Sequence, residues 1–197
     1  QNTNDSWTLL PRPTSNLIRL RRKDFISMDL LNTPFVAKKF VKPGFFTWKN
    51  FDGVLKKCPE NYIETIDPQG NKSVGIKHIN HHTFIISNSK ALWDFSFIKN
   101  KVNKYTWLEE YITHDKWNAH IYGCRKDKGK SFSKHADKAH NFIVQSEGEC
   151  VWRVEGLREN ILFPGDMISI PYLCPHECIP LGKRLSVSFP FWKRGDI

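Results

Sequence analysis

At 197 residues, 40% hydrophobic and 25% charged with 7 Trp and 14 Phe, the chain can bury one well-filled core, which excludes an intrinsically disordered polypeptide and leaves too little length for two full domains. No apolar run approaches the roughly 20 residues of a membrane helix, so no membrane is expected. Thirty Lys and Arg against twenty Asp and Glu give a formal charge of +10, which would draw RNA, ribosomes or acidic protein segments; because the basic residues are scattered, solubility explains the charge equally well.

Residues 1–16 carry Pro11, Pro13 and small polar side chains and read as a loose arm leading into LIRLRRKDF, so a single folded unit is expected over 17–197. NTPFVAKKFVKPG alternates as a short strand closed by Pro43-Gly44, and in TWKNFDGVLKKC Thr47 stands as a cap before apolar residues at helical spacing. NYIETIDPQGNKSVGIKHI predicts two strands about an Asp67-Pro68-Gln69-Gly70-Asn71 turn; ALWDFSFIKNKV and TWLEEYIT predict two short helices. Beyond Asn118 the texture changes. NAHIYGC, HNFIVQS, CVWRV, ILF, DMISIP, ECIP and RLSVSFPF are short β-type runs separated by turn residues such as Gly148, Gly156 and Pro164-Gly165, the pattern of a sandwich or barrel. The start QNTNDSWTLLPRP lacks the basic-then-apolar order of a secretory signal. Five cysteines without CxxC spacing point to reduced thiols and a cytoplasmic location.

Chemistry concentrates in KHADKAHNFIVQSEG. On a strand, positions i and i+2 share a face, so His135 and Asp137 would point together, a spacing that suits two ligands of one ion. His176, after PGDMISIPYLCP, is the third candidate; two imidazoles and a carboxylate on one side of an ion leave the opposite positions open, as non-haem Fe(II) oxygenases require. An HxD pair alone is commonplace on protein surfaces, and Cys174 and Cys178 beside His176 keep a zinc site in view. His78, His81 and His82 lack nearby Cys or carboxylates and read as surface or packing residues, and His140 has no evident partner. His120 and Tyr122 alternate on a strand expected to run near the site.

HADKAHNFIVQSEGECVWRV, with Gln145, Gly148 and Trp152, followed by LFPGDMISIPYLCPHECIPL and RLSVSFPF, resembles the two motif segments of the JmjC-type, cupin-like 2-oxoglutarate oxygenases, in the right order and over about residues 118–191. The resemblance implies a mainly β double-stranded β-helix (cupin or jelly-roll) with an N-terminal α/β lead-in, and Fe(II) held by His135, Asp137 and His176. It places Asn141 beside the cosubstrate. It also expects a Lys or Arg two residues before the tryptophan, where this chain has Cys150, and a thiol cannot replace a charge-assisted, bidentate contact. Arg184 and Ser186, two apart on the last predicted strand, share a face and can clamp a carboxylate instead; the plainer alternative is that Lys183-Arg184 caps the Gly182 turn. By the same resemblance, 2-oxoglutarate and O2 are the cosubstrates, a C–H bond on a protein side chain is hydroxylated, and the small protein hydroxylases and ribosomal oxygenases are the nearest in kind. RNA hydroxylation, suited to the charge of +10, and a non-catalytic cupin-fold binding module, suited to Cys150, are the competing readings.

Overall fold

The computed structural model describes residues 32–87, 119–126 and 132–192; the predicted arm, LIRLRRKDF and the two helices expected within 91–113 lie outside them. In chain order the elements are β1 (Phe35–Ala37), α1 (Trp48–Leu55), a single 3-10 turn (Glu60–Tyr62), β2 (Ile63–Ile66), β3 (Lys72–Val74), β4 (Thr83–Ile86), β5 (His120–Cys124), β6 (His140–Glu147), β7 (Cys150–Val154), β8 (Asn160–Leu162), β9 (Met167–Ile170), β10 (His176–Pro180) and β11 (Arg184–Phe191). They form two antiparallel sheets, a major one in the order β1-β9-β6-β11-β5-β4-β2-β3 and a minor one in the order β10-β7-β8. Among the described residues no helix is long and apolar enough to cross a membrane.

Alternation along the central strands sorts their side chains into two compartments. From β6 and β11, Phe142, Val144, Leu185, Val187 and Phe189 point into one core with Phe51 and Val54 of α1 and Phe84 of β4. Ile143, with Ile168 and Ile170 of β9, faces the minor sheet and packs on Trp152, Val154, Leu162 and Cys178. With both faces covered, β6 is buried from His140 to Ser146, so the apolar Phe142-Ile143-Val144 at its centre is flanked by buried polar side chains. The strand-rich second half therefore closes as a sandwich, and its interior carries a polar stripe, since Tyr122, Ser186 and Gln145 lie side by side in the register of β5, β11 and β6.

Local devices hold this frame. Thr47 caps α1 through a capping box in which its hydroxyl accepts from Asn50 N and the Asn50 side chain accepts from Thr47 N. The strand expected over 32–44 stops after three residues because Asp166 of the Pro-Gly-Asp turn captures the backbone that follows: its carboxylate accepts from Lys39 N at 3.0 Å and Lys38 Nζ at 2.8 Å, with Lys39 at φ 52°. The run Thr83–Ile86, not anticipated as a strand, is β4 and bridges β2 to β5. Gly148, at φ +70° in the β6–β7 turn, comes so close to Lys183 that an added Cβ would lie 2.0 Å from its carbonyl oxygen. Gly148→Ala is therefore expected to destabilise the protein by at least about 2 kcal/mol in urea denaturation, since strain at positive φ and a backbone clash act together.

Candidate metal centre

His135 and His176 are brought together by main chain. His135 N donates to His176 O at 3.0 Å and His176 N donates to His135 O at 2.8 Å, an isolated bridge that joins the approach to β6 with the first residue of β10. The expectation that His135 and Asp137 share a strand face is corrected here: His-Ala-Asp lies in a loop before β6, and Asp137 is placed by its carbonyl, which accepts from Leu173 N at 2.8 Å. The outcome is nevertheless a cluster. One ligand atom from each of His135, Asp137 and His176 lies within 4.8 Å of the others, with His135 Nε2 3.7 Å and His176 Nε2 3.6 Å from the Asp137 carboxylate oxygens. Cys174 and Cys178 are not in the cluster.

The tautomers suit a metal. His135 Nδ1 is 2.7 Å from Ser133 O and His176 Nδ1 is 2.9 Å from Cys174 O. A carbonyl can only accept, so each Nδ1 carries the proton and each Nε2 turns its lone pair to the centre. Burial pushes His176 below its ordinary pKa, which keeps it neutral and able to ligate. The side chain of His176 is 4% exposed, while those of His135 and Asp137 are 41% and 37% exposed, so the centre is walled on one side and open on the other.

Behind the carboxylate, Asn141 Nδ2 donates to Asp137 Oδ2 at 2.9 Å and Asn141 Oδ1 accepts from Ser188 Oγ at 3.1 Å. This fixes the carboxylate's rotation. Asn141→Ala should lower the affinity for Co(II) or Fe(II) by about 10- to 100-fold in calorimetry, the usual effect of losing an outer partner of a ligand. His140 also acquires a partner, its Nδ1 accepting from Tyr172 N at 3.3 Å. His78 and His82 stack on each other at 4.9 Å, far along the chain from this cluster and outside it.

A cavity of about 240 Å³ borders the cluster. Tyr122, Arg184 and Ser186 line it from the major sheet, Trp152 and Cys178 from the minor sheet. Burial raises the Tyr122 phenol well above its ordinary pKa, so it is present as a hydrogen-bond donor. Arg184 begins β11, is 2% exposed, and donates from Nη1 to Ser186 Oγ at 3.3 Å; Ser186 Oγ donates to Gln145 Oε1 at 2.8 Å, and Gln145 Nε2 donates to Glu147 O and Gly148 O. The Arg184 Nε has no hydrogen-bond partner among the described residues. Cys150 sits against this guanidinium, its thiol pulled down to about 7 by the hydrogen bond from Cys178, against burial, and then by Arg184. A buried cation with an unused donor, on a cavity shared with a ligand triad, fits an acidic ligand. Glu64 of β2 and Phe132 of the segment before His135 also border the cavity and were not singled out from sequence, since only the tertiary fold brings them there.

The arrangement matches known architecture. Escherichia coli YcfD, a ribosomal oxygenase, superposes with a TM-score of 0.66 at 19% identity over 88% of this chain and 51% of that one. This is a JmjC/cupin-like fold. Its triad is of the two-histidine, one-carboxylate facial type. The X-ray structure of E. coli ycfD gives a TM-score of 0.69 at 18% identity over 88% and 53%, and the YcfD complex with cobalt and 2-oxoglutarate gives 0.66 at 20% over 88% and 52%. The chain thus spans about half the length of these JmjC/cupin-like structures. No protein-family model matches the chain, and no curated protein does.

Proposed function

We propose that the chain is an Fe(II)- and 2-oxoglutarate-dependent oxygenase that hydroxylates a C–H bond of a protein side chain. The observation that carries this reading is the convergence of His135 Nε2, His176 Nε2 and the Asp137 carboxylate beside a cavity that also holds the buried, incompletely satisfied guanidinium of Arg184. Bound there, the ion, the keto acid and dioxygen supply the oxidising chemistry, in which 2-oxoglutarate becomes succinate and CO2 and one oxygen atom enters the substrate.

The chain's own residues bind, orient and exclude water. The two Nδ1–carbonyl bonds hold both imidazoles in the ligating tautomer, and Asn141 holds Asp137. Arg184, steadied by Ser186 and through it by Gln145, would receive the distal carboxylate, with the Tyr122 hydroxyl as a further donor on the same cavity. Trp152 and Ile143 give the cavity its dry wall. The likeness to a ribosomal oxygenase makes a ribosomal protein the first substrate to try, and the free state of all five thiols agrees with a reducing cytoplasm.

The test incubates the chain with Fe(II), 2-oxoglutarate and, separately, ribosomal proteins and ribosomal RNA. Succinate release with one added oxygen atom on a protein, absent in His135→Ala, supports the reading. Oxygen added to RNA would replace the protein substrate with a nucleic acid, and keto-acid binding without succinate or product would leave a non-catalytic module.

A further inference from the structure

The minor sheet buries one face, and its other face is not polar, as the water side of an antiparallel sheet ordinarily is. Cys178, Trp152, Val154 and Leu162 turn inward to the core. The residues between them point outward and stand in rows across β10, β7 and β8. One row is charged: Arg153 lies opposite Glu177 in the register, 3.6 Å from its carboxylate, and pairs with Glu159 at 2.7 Å. The next row is wholly apolar, since Ile179 pairs with Val151 and Val151 with Ile161. Just beyond the strand ends the alternation continues to Leu181, Glu149 and Phe163, with Leu181 N donating to Glu149 O at 3.1 Å.

Ile161, Phe163 and Leu181 are 41%, 47% and 49% exposed. A single exposed apolar side chain is ordinary, but a set of them grouped with Val151 and Ile179 on one small sheet marks an interaction surface. Charge indicates the kind of partner. Residues 149–181 hold five acidic and two basic residues, in a chain whose Lys and Arg outnumber its Asp and Glu by thirty to twenty. With Arg153 held between two glutamates, the face is left negative, so it repels phosphate backbones, anionic lipid and a second copy of itself laid face to face. The chain's own Lys38 shows the complementary fit, its Nζ lying 5.4 Å from the centre of the Phe163 ring and donating to Ile161 O at 2.7 Å.

We propose that the outer face of the minor sheet is a docking surface for a cationic protein segment in which apolar side chains alternate with lysines or arginines. The apolar side chains would cover the Ile179–Val151–Ile161 row with Leu181 and Phe163 beside it, and the cations would meet Glu149, Glu159 and Glu177. None of these side chains borders the cavity, so the inference does not rest on the oxygenase reading and is tested without metal or keto acid.

The probe is a short synthetic peptide of alternating lysine and leucine, titrated into the full chain by calorimetry and then joined to it by a carbodiimide, which links lysine amines directly to carboxylates in contact with them. Mass spectrometry of the unsubstituted chain is expected to find the peptide on Glu149, Glu159 or Glu177. Binding should weaken by about tenfold or more in Ile161→Ser combined with Phe163→Ser, and again in Glu149→Lys, with little change in the urea midpoint because all three side chains are exposed. Peptides that alternate glutamate with leucine, or lysine with serine, should bind much more weakly. Coupling confined to carboxylates elsewhere, such as Asp52 or Glu60, or equal binding of the glutamate–leucine peptide, overturns the proposal. So does a dimer in sedimentation that Phe163→Ser abolishes, which would give the face to a second copy, and so does peptide-free coupling of Glu149 or Glu177 to Lys23, which would give it to the chain's own segment before β1.

Discussion

Replacing Arg184 by methionine will weaken 2-oxoglutarate binding by about 100-fold or more, since losing one partner of a buried, hydrogen-bonded charge pair costs about 2–5 kcal/mol. Calorimetry in the presence of Co(II) reads the loss. The apo protein should lose little stability in the same substitution, because a buried cation carries a desolvation cost that an apolar side chain of similar length does not. If the keto acid binds Arg184→Met as it binds the parent, the anchor is elsewhere. A second variant locates it by relocation: position 150 on β7 touches the guanidinium from β11, so Cys150→Arg added to Arg184→Met should recover most of the affinity. The same contact predicts a pH dependence. Below about 7, Cys150 is a neutral thiol and the guanidinium charge is fully available to a carboxylate; above it the thiolate offsets that charge. Affinity should thus fall as pH rises above about 7, by at most tenfold per unit, and Cys150→Ser should flatten that limb of the profile.

His176→Ala will reduce Fe(II) or Co(II) affinity beyond the roughly 100-fold ascribed to an outer partner of a ligand, and His135→Ala will do the same. The two variants should differ in a second readout. His176 is buried and ringed by Trp152 and His135, whereas His135 is part-exposed, so truncating His176 also opens a cavity and lowers the urea midpoint while truncating His135 does not. Full metal affinity in His176→Ala would refute the triad.

Strand existence was legible wherever alternation or an apolar run was bounded by turn residues, from β5 through β11, because both cues arise from the pleat itself. Thr47 announced α1 by a side-chain hydrogen bond of short range. What was hidden depended on distance. β1 is short because Asp166, well over a hundred residues away, takes the Lys39 backbone donor just beyond it, and β4 was passed over because a four-residue run among histidines carries little local signal. The site follows the same division. His135 and Asp137 could be paired by spacing, although for the wrong reason: a bridge to His176 and a carbonyl contact to Leu173 place them, not a common strand. Arg184 and Ser186 were visible as a same-face pair, but the Arg184–Cys150 contact needs two strands of different sheets to meet, and no window of sequence records that.

The reciprocal bridge between His135 and His176 has a mechanical meaning. It is where a segment leading into the major sheet is laced to the minor sheet, and the two residues it joins are two of the three candidate metal ligands. An ion held there would act as a rivet through the seam of the sandwich. Prying the sheets apart would then have to break coordination as well as two backbone hydrogen bonds, so the loaded protein should open as one cooperative body where the empty one can part along its seam.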